Sequence, residues 1–227
     1  MPLFVTKKRG KIQTVHIICA VESYSNFDSL SKATGGVKTR SLCSLVCKWT
    51  YRGQSDEKGQ RGWDRSYFSQ IGLDENANFY EKIGQVVANP GEKISSLGNQ
   101  AAMELGLSSD VIVACGLIDA HSGVLGLLAT RHINVESTLA LISGTSACHM
   151  ILNKEKMMIS GIWGPYFGAI LQEYWLHEGG QSSVGSLIDH LVKGHPAWPQ
   201  IKDKGFGYLE EICQNLAVSY NRCPKYK

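Results

Sequence analysis

Three short segments place polar, reactive side chains inside otherwise apolar sequence, and each suggests chemistry. In the first, the apolar run Asp110-Val-Ile-Val-Ala-Cys-Gly116 leads into Leu117-Ile-Asp119-Ala-His121. A carboxylate at the end of a buried strand and the start of a helix sits where ligands bind α/β sheets. The helix N-terminus favours its ionised form, which can accept a hydroxyl proton. A helix N-cap explains the same aspartate equally well. The second segment is Ser143-Gly144-Thr145-Ser146, whose small residues suit a tight turn with backbone N–H groups turned toward phosphate oxygens. An ordinary hairpin turn is the plainer alternative. The third is His177-Glu178-Gly179-Gly180-Gln181-Ser182. Here an acid and an amide beside paired glycines could hydrogen-bond several hydroxyls, or simply form a helix-capping loop.

Other chemistries are excluded by what is missing. The chain has no Gly-x-x-x-x-Gly-Lys-Ser/Thr loop and no Gly-x-Gly-x-x-Gly fingerprint. His177-Glu178 is followed at position 181 by glutamine, so a zinc-protease helix is ruled out. Gly144-Thr-Ser146-Ala-Cys148 resembles a nucleophile elbow, but that elbow needs a strand followed by a helix, and here two strands flank the turn. Cys43 and Cys47 share one helix face at i, i+4. With no further Cys or His nearby in sequence they read as a core pair, and no metal ligand set is expected.

The elements that must position these groups are mixed helices and strands, hence an α/β class. Leu42, Leu45, Val46 and Trp49 recur at helical spacing, with Thr39 or Ser41 as N-cap. A short helix opened by Asp64 is predicted over 63–71, another fragment over 79–83, and a turn at Asn89-Pro90-Gly91. Residues 100–105 predict a helix closed by Gly106. Strands are predicted within 110–116 and over 138–143 and 147–152, the last two joined at Gly144-Thr145. A helix is predicted from Gln181 or Ser182 to Val192, and a helical pattern runs between Tyr208 and Leu216. The polar stretch 130–138 reads as a linker.

The chain has 227 residues, 43% hydrophobic and 19% charged, with formal net charge +3. That composition supports a genuine core and argues against disorder. The mild charge gives no case for nucleic acid, and Lys7-Lys8-Arg9 reads as a solvated terminal face. No run of about 18 apolar residues predicts a membrane span. Seven scattered cysteines and the lack of an Asn-x-Ser/Thr sequon fit a cytoplasmic, reducing compartment.

Taken in order, several blocks resemble the FGGY carbohydrate kinases, on their ribulokinase-like (pentulose kinase) branch. They are Lys32-Ala-Thr-Gly35, Arg40-Ser-Leu-Cys-Ser-Leu-Val-Cys-Lys-Trp-Thr-Tyr51, Gly116-Leu-Ile-Asp-Ala-His-Ser-Gly123, Gly144-Thr-Ser-Ala-Cys-His-Met150, Gly161-Ile-Trp-Gly-Pro-Tyr-Phe167 and Tyr174-Trp-Leu-His-Glu-Gly-Gly-Gln-Ser182. The resemblance implies an actin-like, ribonuclease H-like ATPase fold of two lobes, incomplete here. On it, 1–26 is unassigned, 27–137 is the C-terminal part of the first lobe, and 138–227 is the N-terminal part of the second.

Carried over by motif, Asp119 is the base that takes the sugar hydroxyl proton. Lys48, Glu178, His121 and Gln181 contact a keto-pentose of the D-ribulose type. Gly144 and Thr145 grip ATP, and Mg²⁺ accompanies it. The family's first phosphate loop, an Asp-x-Gly-Thr hairpin, and its C-terminal adenosine-binding Gly-Gly segment have no counterpart in this sequence. A truncated chain is therefore expected, prone to self-association through exposed faces. The alternative to a kinase is a catalytically inactive chain that binds sugar or a full-length kinase partner.

Overall fold

The structure is a computed structural model that describes residues 17–18, 30–55, 59, 61–73, 86–129, 133–196, 198–205, 207–211 and 214. The fragment predicted over 79–83 and residues 1–16 lie outside the described residues. Two compact units are present: Met1–Ser143 with Ala147–Gln181, and Gly144–Ser146 with Ser182–Lys227.

In the first unit the strands are β1 (Ile17–Ile18), β2 (Arg40–Ser41), β3 (Tyr51–Arg52), β4 (Gly62–Trp63), β5 (Val87–Ala88), β6 (Lys93–Ser96), β7 (Ile112–Ala114), β8 (Ala140–Ser143), β9 (Ala147–Asn153), β10 (Trp163–Phe167) and β11 (Trp175–Gln181). Its helices are α1 (Leu42–Lys48), α2 (Arg65–Gln70), α3 (Asn99–Leu105) and α4 (Asp119–Leu128). Residues 30–34 are also helical.

A four-stranded antiparallel sheet runs β10-β11-β9-β8. In β9 the side chains of Met150 and Leu152 are buried and the intervening Ile151 is exposed, as the period-2 pattern of a half-buried strand requires. Those inward side chains meet Leu176 of β11, Leu42, Cys43 and Val46 of α1, and Leu117, Ile118 and Val124 around the start of α4. A second, smaller core gathers Leu30, Leu97, Ala102 and Val113. It lies around a three-stranded sheet of order β1-β7-β6, with β1 parallel to β7.

Two close contacts fix the helices that matter for the site. Ser41 occupies the N-cap position of α1, yet its hydroxyl donates to Gly116 O at 2.7 Å and leaves the helix end alone. That bond crosses 75 positions of sequence and ties α1 to the segment feeding α4. On α4, a Cβ at Gly123 would lie 3.0 Å from Ile142 Cδ1, so glycine there lets the helix settle close against β8.

α2 shows a cap of the ordinary kind. Asp64 accepts from Ser66 N at 3.1 Å and Tyr67 N at 3.3 Å, and pairs with Arg52 Nη2 at 2.6 Å. The Ser66 hydroxyl bond, with help from Tyr67 N–H and Arg52, holds its carboxyl below the usual range against a smaller effect of burial. Because the folded pKa is depressed, this stabilisation is complete above the unfolded value of about 3.9 and is lost as pH falls through the folded one. Asp64→Ala should cost about 1 kcal/mol, read at neutral pH as a lower urea midpoint with unchanged slope. The parent and variant curves should converge in acid.

The second unit holds α5 (Gly185–Gly194), α6 (Trp198–Ile201) and a 3₁₀ turn at Lys202–Lys204. Residues 207–211 are helical, in line with the pattern read there. Val184 N donates to Thr145 O at 3.0 Å, joining the start of α5 to the turn after β8.

Candidate functional site

α1 carries Cys43 in its first turn and Cys47 and Lys48 in its last. The first turn of α4 carries Asp119 and His121, and β11 carries Glu178. All belong to the first unit, and they converge. Glu178 lies two residues beyond Leu176, so strand alternation sends both side chains to the core face, where Glu178 stands opposite Met150 of β9 and Trp163 of β10. Its Oε2 reaches to 3.8 Å from His121 Nε2. The same imidazole nitrogen lies 3.6 Å from Cys47 Sγ.

The ionisation of these groups reflects their mutual crowding. Burial, reinforced by the Lys48 ammonium and only partly opposed by the Asp119 carboxylate, pushes the His121 pKa down to about 4. His121 is therefore neutral at physiological pH, and its Nδ1 has no hydrogen-bond partner among the described residues. Burial raises the Glu178 pKa, against a hydrogen bond with Cys148 and the charge of Lys48. The Cys47 thiol is raised by its hydrogen bond with Cys43 and by burial, so it stays protonated. Tyr166 of β10 is raised by burial and then by Cys47 and Glu178, which puts it at the same place.

Asp119 differs from these. It is exposed, as the first residue of α4, with Ile118 in the N-cap position. Its Oδ1 accepts from Ala120 N at 2.8 Å. Of the sequence-predicted residues, Lys48 and Asp119 both act on His121, and Lys48 acts also on Glu178, which meets His121.

The other three are placed elsewhere. Gln181 ends β11 three residues past Glu178, which sends its side chain to the opposite face of the strand. Gly144 and Thr145 fall in the second unit. There Gly144 N–H donates to Ser146 O at 2.8 Å, so that amide is engaged within its own turn.

Sequence spacing did not single out Cys148 and Tyr166, although both lie inside blocks that carry the resemblance. It also missed the third partner of Cys43 and Cys47: ligand-type atoms of Cys43, Cys47 and His121 all lie within 4.8 Å of one another. His121 is 74 positions from Cys47, beyond the reach of any local spacing rule.

Residues 139–220 match the profile of the FGGY family of carbohydrate kinases, C-terminal domain. The FGGY carbohydrate kinase domain-containing protein of Homo sapiens is 45% identical over 199 residues, covering 82% of this chain and 34% of that protein. The chain belongs to the FGGY family of carbohydrate kinases. The D-ribulokinase of Saccharomyces cerevisiae, also similar to this FGGY chain, is 32% identical over 220 residues, covering 83% of the chain and 31% of the relative.

This FGGY chain thus spans about a third of the length of the curated relatives it matches. Among solved structures, a ligand-bound xylulose kinase from Lactobacillus acidophilus aligns with 74% of the chain and 30% of its own length, at TM-score 0.52 and 14% identity. A xyloylose kinase from Brucella ovis aligns with 81% of the chain and 35% of its own length, at TM-score 0.52 and 17% identity. At those identities the likeness concerns the fold, and it agrees with the expected mixed α/β, actin-like architecture.

Proposed function

We propose that this chain supplies sugar-binding groups and the general base of an ATP-dependent kinase acting on a keto-pentose of the D-ribulose type. The observation that carries the reading is the meeting of His121 and Glu178 at 3.8 Å inside the fields of Lys48 and Asp119. A neutral imidazole, a buried carboxylate and an ammonium offer the mixture of donors and acceptors that a polyhydroxylated substrate needs. Asp119, exposed at the start of α4, takes the proton of the attacking hydroxyl. Family membership and the 32% identity to a D-ribulokinase support the choice of substrate class.

ATP is the phosphoryl donor in this reading, with Gly144 and Thr145 contributing a phosphate loop. In this reading the lobes divide near residue 137, and the compartment is the cytosol. No described helix is long and apolar enough to cross a membrane. Mg²⁺ prefers several oxygen ligands. Among the described residues, the three-donor group within metal-ligand reach is Cys43, Cys47 and His121, which does not suit that ion. No step here is routed through Mg²⁺.

The test is release of ADP from ATP that depends on added ribulose or a related pentulose, combined with calorimetric binding of the sugar. Sugar binding without turnover would favour the non-catalytic alternative. Neither binding nor turnover would remove the reading altogether. Glu178→Gln should weaken pentulose binding by about 10- to 100-fold by calorimetry, the worth of one hydrogen bond to a charged group. An unchanged affinity would take Glu178 out of the sugar site.

A further inference from the structure

We infer that Cys43, Cys47 and His121 form a binding site for a thiophilic divalent cation of the zinc type, with water in the fourth position. Two helical cysteines at i, i+4 present both sulfurs to one side of α1, and α4 brings an imidazole nitrogen to meet them. The three ligand-type atoms lie within 4.8 Å of one another. In a tetrahedral zinc site with Zn–S about 2.3 Å and Zn–N about 2.0 Å, sulfur and nitrogen are separated by roughly 3.5 Å. The Cys47 Sγ to His121 Nε2 distance is 3.6 Å.

Glu178 lies outside this three-residue group, although its Oε2 comes to 3.8 Å from His121 Nε2, so it stays among the sugar-binding groups. The donor set, two sulfurs with one nitrogen, selects zinc over magnesium or calcium.

The surroundings also suit a bound ion. Cys43 and His121 are almost wholly buried, which keeps water from competing for the ion. Cys47 is only half-buried, which leaves a path inward past its sulfur. The ion would displace the thiol protons to solvent and join α1 and α4 through one centre. This site stands on the geometry of the sulfurs and imidazole and does not depend on which sugar, if any, the chain binds.

The test begins with metal-free protein titrated with Co²⁺. The expected result is thiolate-to-cobalt charge-transfer absorption and tetrahedral visible bands that saturate at one equivalent and vanish on adding Zn²⁺. The Cys43→Ala/Cys47→Ala double variant should lose the charge-transfer band and bind Zn²⁺ roughly a hundredfold more weakly or worse. Retention of that band in the double variant would transfer the signal to other cysteines and overturn the proposal.

X-ray absorption of the Zn²⁺ complex of the unaltered chain decides the matter even where the variant fails to fold. Two sulfurs and two lighter atoms around the ion are expected. Any other sulfur count, or no bound zinc after gel filtration, defeats it.

Discussion

Asp119→Asn should lower pentulose-dependent ADP release by about 10²- to 10⁴-fold, the usual worth of a positioned general base, while pentulose affinity changes by less than a few-fold. The choice of asparagine matters, because Asp119 has two separable roles in this fold. As the first residue of α4 it accepts from Ala120 N at 2.8 Å, a local bond that orders the helix start. The asparagine carbonyl keeps that bond and the shape of the side chain, so the melting temperature should stay within a degree or two. What the amide cannot do is take a proton from an alcohol.

A loss of turnover with binding and stability intact therefore isolates proton acceptance from helix capping, the two explanations that sequence alone left open. A substitution that left turnover within about tenfold of the parent would leave Asp119 only its local bond at the start of α4. The position itself argues for the first outcome. Its exposed carboxylate stands at the start of α4, two residues before the buried His121 imidazole that faces Glu178.

Much of this arrangement could be read from local pattern. α1 begins where Ser41 and the Leu42, Leu45, Val46 spacing put it, and Asp64 opens α2 with the cap bonds its type predicts. Gly106 closes α3 in the left-handed conformation, at φ 64°, that glycine tolerates most easily. Short-range chemistry settles each of these.

β11 was harder, because Glu178-Gly179-Gly180-Gln181 has the composition of a loop. The strand forms because its neighbours demand it, with seven consecutive residues paired to β9. A Cβ at Gly180 would stand 2.6 Å from the Trp163 ring, so the glycine makes room for an indole on the adjacent strand. Tertiary packing overrides local propensity there. The Cys43, Cys47 and His121 group was illegible for a related reason. Two of its members advertise themselves at i, i+4, and the third arrives only when the Ser41 to Gly116 bond brings α4 alongside α1.

The largest loss of stability is expected at the residue that ties the sheet to the site. Leu176 is fully buried in β11, where it pairs with Leu152 of β9 and Tyr166 of β10 and packs into the same core as α1. Leu176→Ala should cost ~2–5 kcal/mol, part lost transfer energy and part residual cavity. That is a large share of the roughly 5–15 kcal/mol that holds a domain together. For a chain of this size it corresponds to a fall of roughly 4–20 °C in melting temperature.

Leu141 provides the control. It lies in β8 of the same sheet but is 56% exposed, so Leu141→Ala should stay within about 0.5 kcal/mol. Equal losses at the two positions in denaturant titrations would mean that the core does not lie on the face assigned to it. Glu178 follows Leu176 by one strand repeat on that face, so a cavity at 176 also loosens the carboxylate's footing. Pentulose affinity in Leu176→Ala should therefore drop before the protein unfolds, whereas Leu141→Ala should bind as the parent does.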